Sequence, residues 1–189
     1  MSTEVKQLSA QAQVFVMHFG EMGSRWGFNR TVGQMLALIV VHPKPISADE
    51  LSQLLGVSRG NVSMGIKELQ SWRLIKTEKQ AGDRKDYYSP VGDIWQMARH
   101  VVDERSRREL EPTLSLLRSQ LLESCTDESD LHAQAKMAEI YELLELANDW
   151  TKAVSGLSQK QLQSLMKMGS GLGKLVEFKD KMLGQSDSK

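Results

Sequence analysis

The stretch from Ser58 to Lys85 gathers the side chains with the most specific chemistry in this chain. Arg59, Asn61, Ser63, Met64 and Lys67 follow Ser58 at the start of a helical pattern, and Gly60 among them leaves room for close approach. A guanidinium pairs with the acceptor edge of guanine, a carboxamide with adenine, a thioether with a thymine methyl, an ammonium with a phosphate. Farther on, Asp83-Arg84-Lys85 makes a short cationic tip suited to a minor groove. Ser47 and Ser58 each precede a helical pattern, so two helix N-termini with partial positive charge stand ready for phosphates.

Other chemistries fare worse. The four histidines, His18, His42, His100 and His132, and the lone Cys125 follow no metal-ligand spacing, so neither a metal nor a cofactor is expected. Gly169-Ser170-Gly171-Leu172-Gly173-Lys174 fails the phosphate-loop spacing, and Leu175 replaces the required hydroxyl. Gly169 and Gly173 there are better read as small residues at a helix contact. No nucleophile lies near a base in the pattern, which argues against an enzyme. Trp26, Phe28, Trp72, Tyr87, Tyr88 and Trp95 could cage a quaternary ammonium effector, with Trp26 and Trp95 as the candidate contacts. Aromatics at helix junctions are more often core or interface.

Charge is segregated in a chain whose formal net charge is zero. From Arg59 to Lys85 seven basic residues outnumber three acidic ones, whereas from Asp127 to Trp150 seven acids face only Lys136. Such a chain meets phosphate with one face only. The first residues lack a basic stretch followed by an apolar run, and Met35–Val41, the longest apolar run, is too short to cross a bilayer. With a single cysteine, these features predict a soluble cytoplasmic protein with no membrane partner.

The elements that must position the polar residues are mostly helical. A first helix carries Leu8, Val14, Phe15 and Phe19 and runs out at Gly20–Gly23, before a loop GSRWGF. Asn29 caps a second helix that ends at His42-Pro43. Ser47-Ala-Asp-Glu50 is a capping box opening a third helix that stops at Gly56, whose backbone is expected to be left-handed. Ser58 caps a fourth, and Leu51, Leu54, Val57, Val62, Ile66 and Leu69 form the wedge between the two. Residues 74–78 and 85–88 flank Ala81-Gly82-Asp83 as a β-hairpin. A long helix follows from Asp93 to about Leu122, with a Leu110, Leu114, Leu117, Leu121 seam and a kink or junction at Pro112. Two further helices span Leu131–Trp150 and Ser158–Met182. This order is a winged helix-turn-helix, mainly α with a small β-hairpin wing, plus long dimerisation helices.

The run GFNRTVGQMLALIVVHPKPISADELSQLLGVSRGNVSMGIKELQSWRLIK, followed by GDRKDYYSP, resembles the MarR superfamily of winged-helix regulators and, more closely, its GbsR-like branch. The resemblance covers roughly residues 20 to 122. Where generic members carry a leucine-threonine after the wing, Ser89-Pro90-Val91-Gly92 stands here. It implies a recognition helix at 58–72 in a major groove, a wing at 79–86 in a minor groove, and dimerisation through the terminal helices. It also implies repression of transcription, with a possible small-molecule effector such as choline. The expected organisation is a dimerisation helix and loop at 1–28, the DNA-binding domain at 29–92, a helical dimerisation region at 93–184 and a disordered tail at 185–189. The partner would be double-stranded DNA with a pseudo-palindromic operator. The DNA-contacting residues would be Ser47, Ser58, Arg59, Gly60, Asn61, Ser63, Met64, Lys67, Arg84 and Lys85. The competing expectation is a winged-helix module whose same face binds a protein; the basic surplus disfavours it.

Overall fold

A computed structural model describes residues 8–25, 27–123 and 127–169. The chain divides into two compact units, Met1–Glu104 and Arg105–Lys189. The first is built around α2 (Arg30–Val41), an apolar helix whose Val32, Met35, Ala37, Leu38 and Ile39 are all buried. A helix apolar on nearly every side must be covered on nearly every side. α1 (Ala10–Arg25), α3 (Ala48–Leu55), α4 (Arg59–Ser71) and a small sheet supply the cover.

The caps fall where local chemistry puts them. The Asn29 side chain accepts from Thr31 N at 2.8 Å. Ser47 and Glu50 complete both bonds of the capping box, and Gly56 ends α3 at φ 64°, ψ 29°, in the left-handed region. Ser58 Oγ accepts from Asn61 N at 3.2 Å and starts α4. The hairpin is β2 (Ile75–Lys79) with β3 (Asp86–Pro90), antiparallel with Thr77 opposite Tyr88. A third strand, β1 (Ile46–Ser47), pairs with the other edge of β3, Ile46 opposite Tyr88. Two residues after a proline carry no period-2 signal, so nothing local announces it.

The first helix departs from expectation. α1 continues through Gly20 and Gly23 to Arg25, absorbing the first part of the anticipated loop. The reason lies in packing. A Cβ on Gly33 of α2 would sit 3.1 Å from Phe19 O and 3.3 Å from the Gly20 Cα. The glycines let the two backbones nearly touch, and that contact outweighs the roughly 1 kcal/mol each costs inside a helix.

The expected long helix is also interrupted. α5 (Ile94–Arg105) is followed by a π-helical turn (Ser106–Leu110) and then α6 (Glu111–Leu121), with Pro112 in the first turn of α6. The Glu111 N–H donates five residues back to Ser106 O, so the irregularity that proline requires is spread over the preceding turn. Met97 is buried and Val101 packs on the core of the first unit, so that unit extends past residue 92.

In the second unit, Leu114 is buried and Leu110, Leu117 and Leu121 are half-buried along the anticipated seam, where α6 packs on α7 (Glu128–Ser155). Ser106 Oγ donates to Asn148 Oδ1 at 2.9 Å, a buried polar bond between the π-turn and α7. α7 starts earlier than its first apolar residue because Glu128 and Asp130 favour the helix N-terminus. Residues 159–169 are helical; the remainder of the last expected helix and the 185–189 tail lie outside the described residues, as does Cys125.

If the α1–α2 contact requires bare backbone at residue 33, Gly33→Leu should lower unfolding free energy by about 1–3 kcal/mol, the usual cost of overpacking. Urea denaturation checks this, and an unchanged midpoint would show that the helices separate freely.

Candidate nucleic-acid interface

α4 has two unlike sides. Val62, Gly65, Ile66 and Leu69 are buried. A Cβ on Gly65 would lie 2.5 Å from Met35 Sδ, so α4 is seated hard against α2. Leu51 is buried on α3, and Leu54 and Val57 pack partly buried around the same core, completing the expected wedge. Seated this way, the helix turns Arg59, Gly60, Asn61, Ser63, Met64 and Lys67 outward, all exposed. Met64 is 65% exposed, an apolar contact set among polar neighbours.

Ser58 is exposed with its hydroxyl engaged in the cap. Ser47 differs from the other nine anticipated contacts. It is buried at 4% exposure, its hydroxyl bonded to Glu50 Oε2 at 2.9 Å and accepting from Glu50 N at 3.3 Å. Its side chain therefore positions α3.

The wing tip is ordered by one carboxylate. Asp83 Oδ1 accepts from the Lys85 backbone N–H at 2.9 Å, and Asp83 Oδ2 accepts from Tyr87 Oη at 2.8 Å. The bond to the Lys85 N–H, then the Tyr87 hydroxyl, hold the Asp83 carboxyl below its ordinary value; the same hydroxyl's bond to Asp83 raises the Tyr87 phenol above its own. Gly82 supplies φ 83° at the bend. Arg84 and Lys85 are thus presented on a braced turn, both exposed. Gln70 Nε2 donates to Thr77 Oγ1 at 2.9 Å and ties the end of α4 to β2.

One acid links helix and wing. Asp49 Oδ1 lies 3.1 Å from Arg59 Nη2, and Asp49 Oδ2 lies 3.3 Å from Lys85 Nζ. Asp83, Tyr87 and Asp49 were not among the anticipated site residues. An aspartate two residues before a turn's amide is a readable Asx signal, whereas Asp49 has no local signature, since its partners are ten and thirty-six residues away.

Among the described residues, part of the aromatic set is taken up by the core. Trp72 is buried, its ring tilted 48° to that of Phe28 at 4.5 Å between centroids, and Tyr88 is buried in the sheet, where desolvation raises its phenol. Trp95 is half-buried on α5, and Trp26 lies outside the described residues. Among the described residues, no group of three His, Cys, Asp or Glu side chains is arranged to hold a metal.

Residues 26–86 match the MarR family. That match covers the winged-helix segment, about a third of the chain. Two proteins of Bacillus subtilis (strain 168) are similar to part of the chain. The HTH-type transcriptional repressor OpcR is 31% identical over 71 residues, 38% of this chain and 38% of its own length. YvaV, provisionally named an HTH-type transcriptional regulator, is 29% identical over 82 residues, 43% of this chain and 46% of its own length. The matched region therefore spans less than half of either relative. A crystal structure of a protein described as a transcriptional regulator shares the fold, with TM-score 0.61 and 20% identity over 77% of this chain and 96% of that one. These matches bear on the winged helix and the mainly helical fold around a three-stranded antiparallel sheet.

The wing-tip bonds carry a pH signature. Asp83's depressed value makes its contribution complete above the ordinary aspartate range and lost as pH falls through the lowered value. Tyr87's raised value makes its contribution complete below the ordinary tyrosine range and lost as pH rises through the raised one. The tip is therefore intact across neutral pH. In Asp83→Ala the Tyr87 ring, followed by NMR, should titrate at lower pH than in wild type; an unmoved midpoint would show the bond unpopulated.

Proposed function

We propose that this chain is a sequence-specific DNA-binding transcriptional regulator of the GbsR-like branch, acting as a homodimeric repressor in the cytoplasm, and that it is not an enzyme. The observation that carries the reading is the outward polar flank of a serine-capped helix beside a braced cationic wing, on a MarR-type fold. Arg59, Asn61, Ser63 and Met64 read base edges in the major groove, and Gly60 admits the backbone closely. Lys67 and the Ser58-capped N-terminus take phosphates, and Arg84 and Lys85 enter the flanking minor groove. Repression is supported by likeness to OpcR, whose name carries that activity. Among the described residues no helix is long and apolar enough to cross a membrane.

Homodimerisation is supported by α7. Ile140, Leu143, Leu146 and Trp150 are exposed on it, while Met137, Tyr141, Leu144 and buried Asn148 lie on its other side. At roughly 100° per residue the exposed set spans about 120°, a stripe wide enough to seat a second helix. Two copies would read a pseudo-palindromic operator with half-sites about one helical turn, ~10 bp, apart. An effector response, with Trp95 and Trp26 as contacts, rests on the family resemblance alone.

Binding to random duplex should weaken steeply with salt, log K falling by about 0.9 per phosphate contact; a flat response would favour a protein-binding module instead. On an operator recovered by genomic selection, Arg59→Ala and Asn61→Ala should each lose discrimination worth about 1–3 kcal/mol with unchanged melting. Retained discrimination in both would move the base contacts elsewhere. Leu143→Glu with Trp150→Glu should sediment as a monomer of 21.3 kDa, and a persistent dimer would place the interface off α7.

A further inference from the structure

Asp49 occupies an unusual position among the charges of the first unit. It stands in the first turn of α3, where an acid is favoured by the helix N-terminus whatever else it does. That placement does not require its two oxygens to point at cations on two other elements, yet they do. One pairs with Arg59 at the start of α4 and the other with Lys85 in the wing. All three side chains are substantially exposed, Arg59 at 83%, Asp49 at 46% and Lys85 at 56%. Water therefore screens the pairs, and their worth to folding is small.

The same geometry matters more for an incoming polyanion. A carboxylate with a cation on each oxygen has the charge and the two-acceptor edge of a DNA phosphate with its two free oxygens. Among the described residues no carboxylate is seen paired with Lys67 or Arg84, so the neutralisation is selective. Asp49 takes one residue of the recognition helix and one of the wing, where Lys79 is separately paired with Asp86.

We propose that Asp49 is an internal phosphate surrogate, a positioning residue that holds Arg59 and Lys85 against the protein until a duplex displaces it. This rests on the DNA-binding reading above. Random DNA meeting only one element gains little, because the cation it meets is already paired and the released carboxylate repels the backbone. A site that engages helix and wing together recovers both cations at once. Asp49 thus raises the ratio of specific to non-specific affinity by lowering the second, a form of selectivity built from repulsion.

The test uses the full chain, a random duplex and a salt series. Asp49→Asn should bind random duplex more tightly than wild type, with a salt slope steeper by about 0.9 for each cation released, and its operator-to-random ratio should fall. Asp49→Glu, which keeps the charge, should restore the wild-type slope. In a Lys85→Ala background the effect of Asp49→Asn should shrink, because one partner is gone. A purely helix-stabilising Asp49 predicts the opposite pattern: lower melting, weaker binding and no steepening. Wild-type binding that is steeply salt-dependent, with an Asp49→Asn slope equal or shallower, overturns the surrogate and leaves the DNA reading standing. A flat wild-type response overturns both. If Asp49→Asn melts early, Asp49→Ser, which keeps a first-turn polar group without charge, is read by the same criteria.

Discussion

The seating of α4 on α2 is the contact on which the interface depends. A recognition helix works only if its roll about its own axis is fixed, because a turn of one residue, about 100°, would bury half of its polar flank. Here the roll is set by Val62, Ile66 and Leu69 entering the core and by Gly65, whose missing side chain lets Met35 lie against the α4 backbone. Burying three aliphatic side chains is worth roughly 1.5–3 kcal/mol each, far more than any of the exposed ion pairs around them. The polar flank faces out because the apolar one cannot.

Against that fixed helix, the second contact surface is held by weaker means. The wing is a two-strand ribbon whose inner edge is anchored by Tyr88 in the core and by β1, and whose exposed tip is organised by the turn bond from Asp83 N to Gln80 O, by the two hydrogen bonds of the Asp83 carboxylate and by the Lys85–Asp49 pair. The result is a stiff helix beside a tip that is braced but solvent-exposed. This division suits a surface that must match a fixed groove on one side and a groove of variable width on the other. Charge follows the same logic. The chain is neutral, yet its cations are concentrated where α4 and the wing emerge, and its acids on α7.

What was legible in the sequence was what local chemistry decides. Asn29, Ser47, Ser58 and Gly56 each act within one helical turn, and each did what its type and spacing predicted. The apolar wedge and the Leu114 seam were equally legible because burial writes a period into the chain. The failures share a cause. Gly20 and Gly23 read as a stop, since glycine ends helices in isolation, while their reason for being there is Gly33 on another helix. Likewise β1 exists only because β3 passes beside Ile46. The Ser47 hydroxyl, buried against Glu50, acts as the cap that its type and spacing predict.

The carboxylates near the interface separate positioning from contact in a way that residue type alone does not. Asp83, Glu50 and Asp49 are all acids beside a cationic surface, and a tally of charge would count each against binding. Their geometry assigns them different work. Glu50 closes a cap, and Asp83 shapes the turn that presents Arg84 and Lys85. Both accept hydrogen bonds from neutral N–H and O–H donors, which ties them to local backbone order. Asp49 alone points at the guanidinium and ammonium groups themselves. An acid that bonds to backbone builds the surface, whereas an acid that bonds to the contacting cations sets how readily that surface is given up. Affinity for phosphate therefore depends less on the surplus of basic residues than on which of them are already paired.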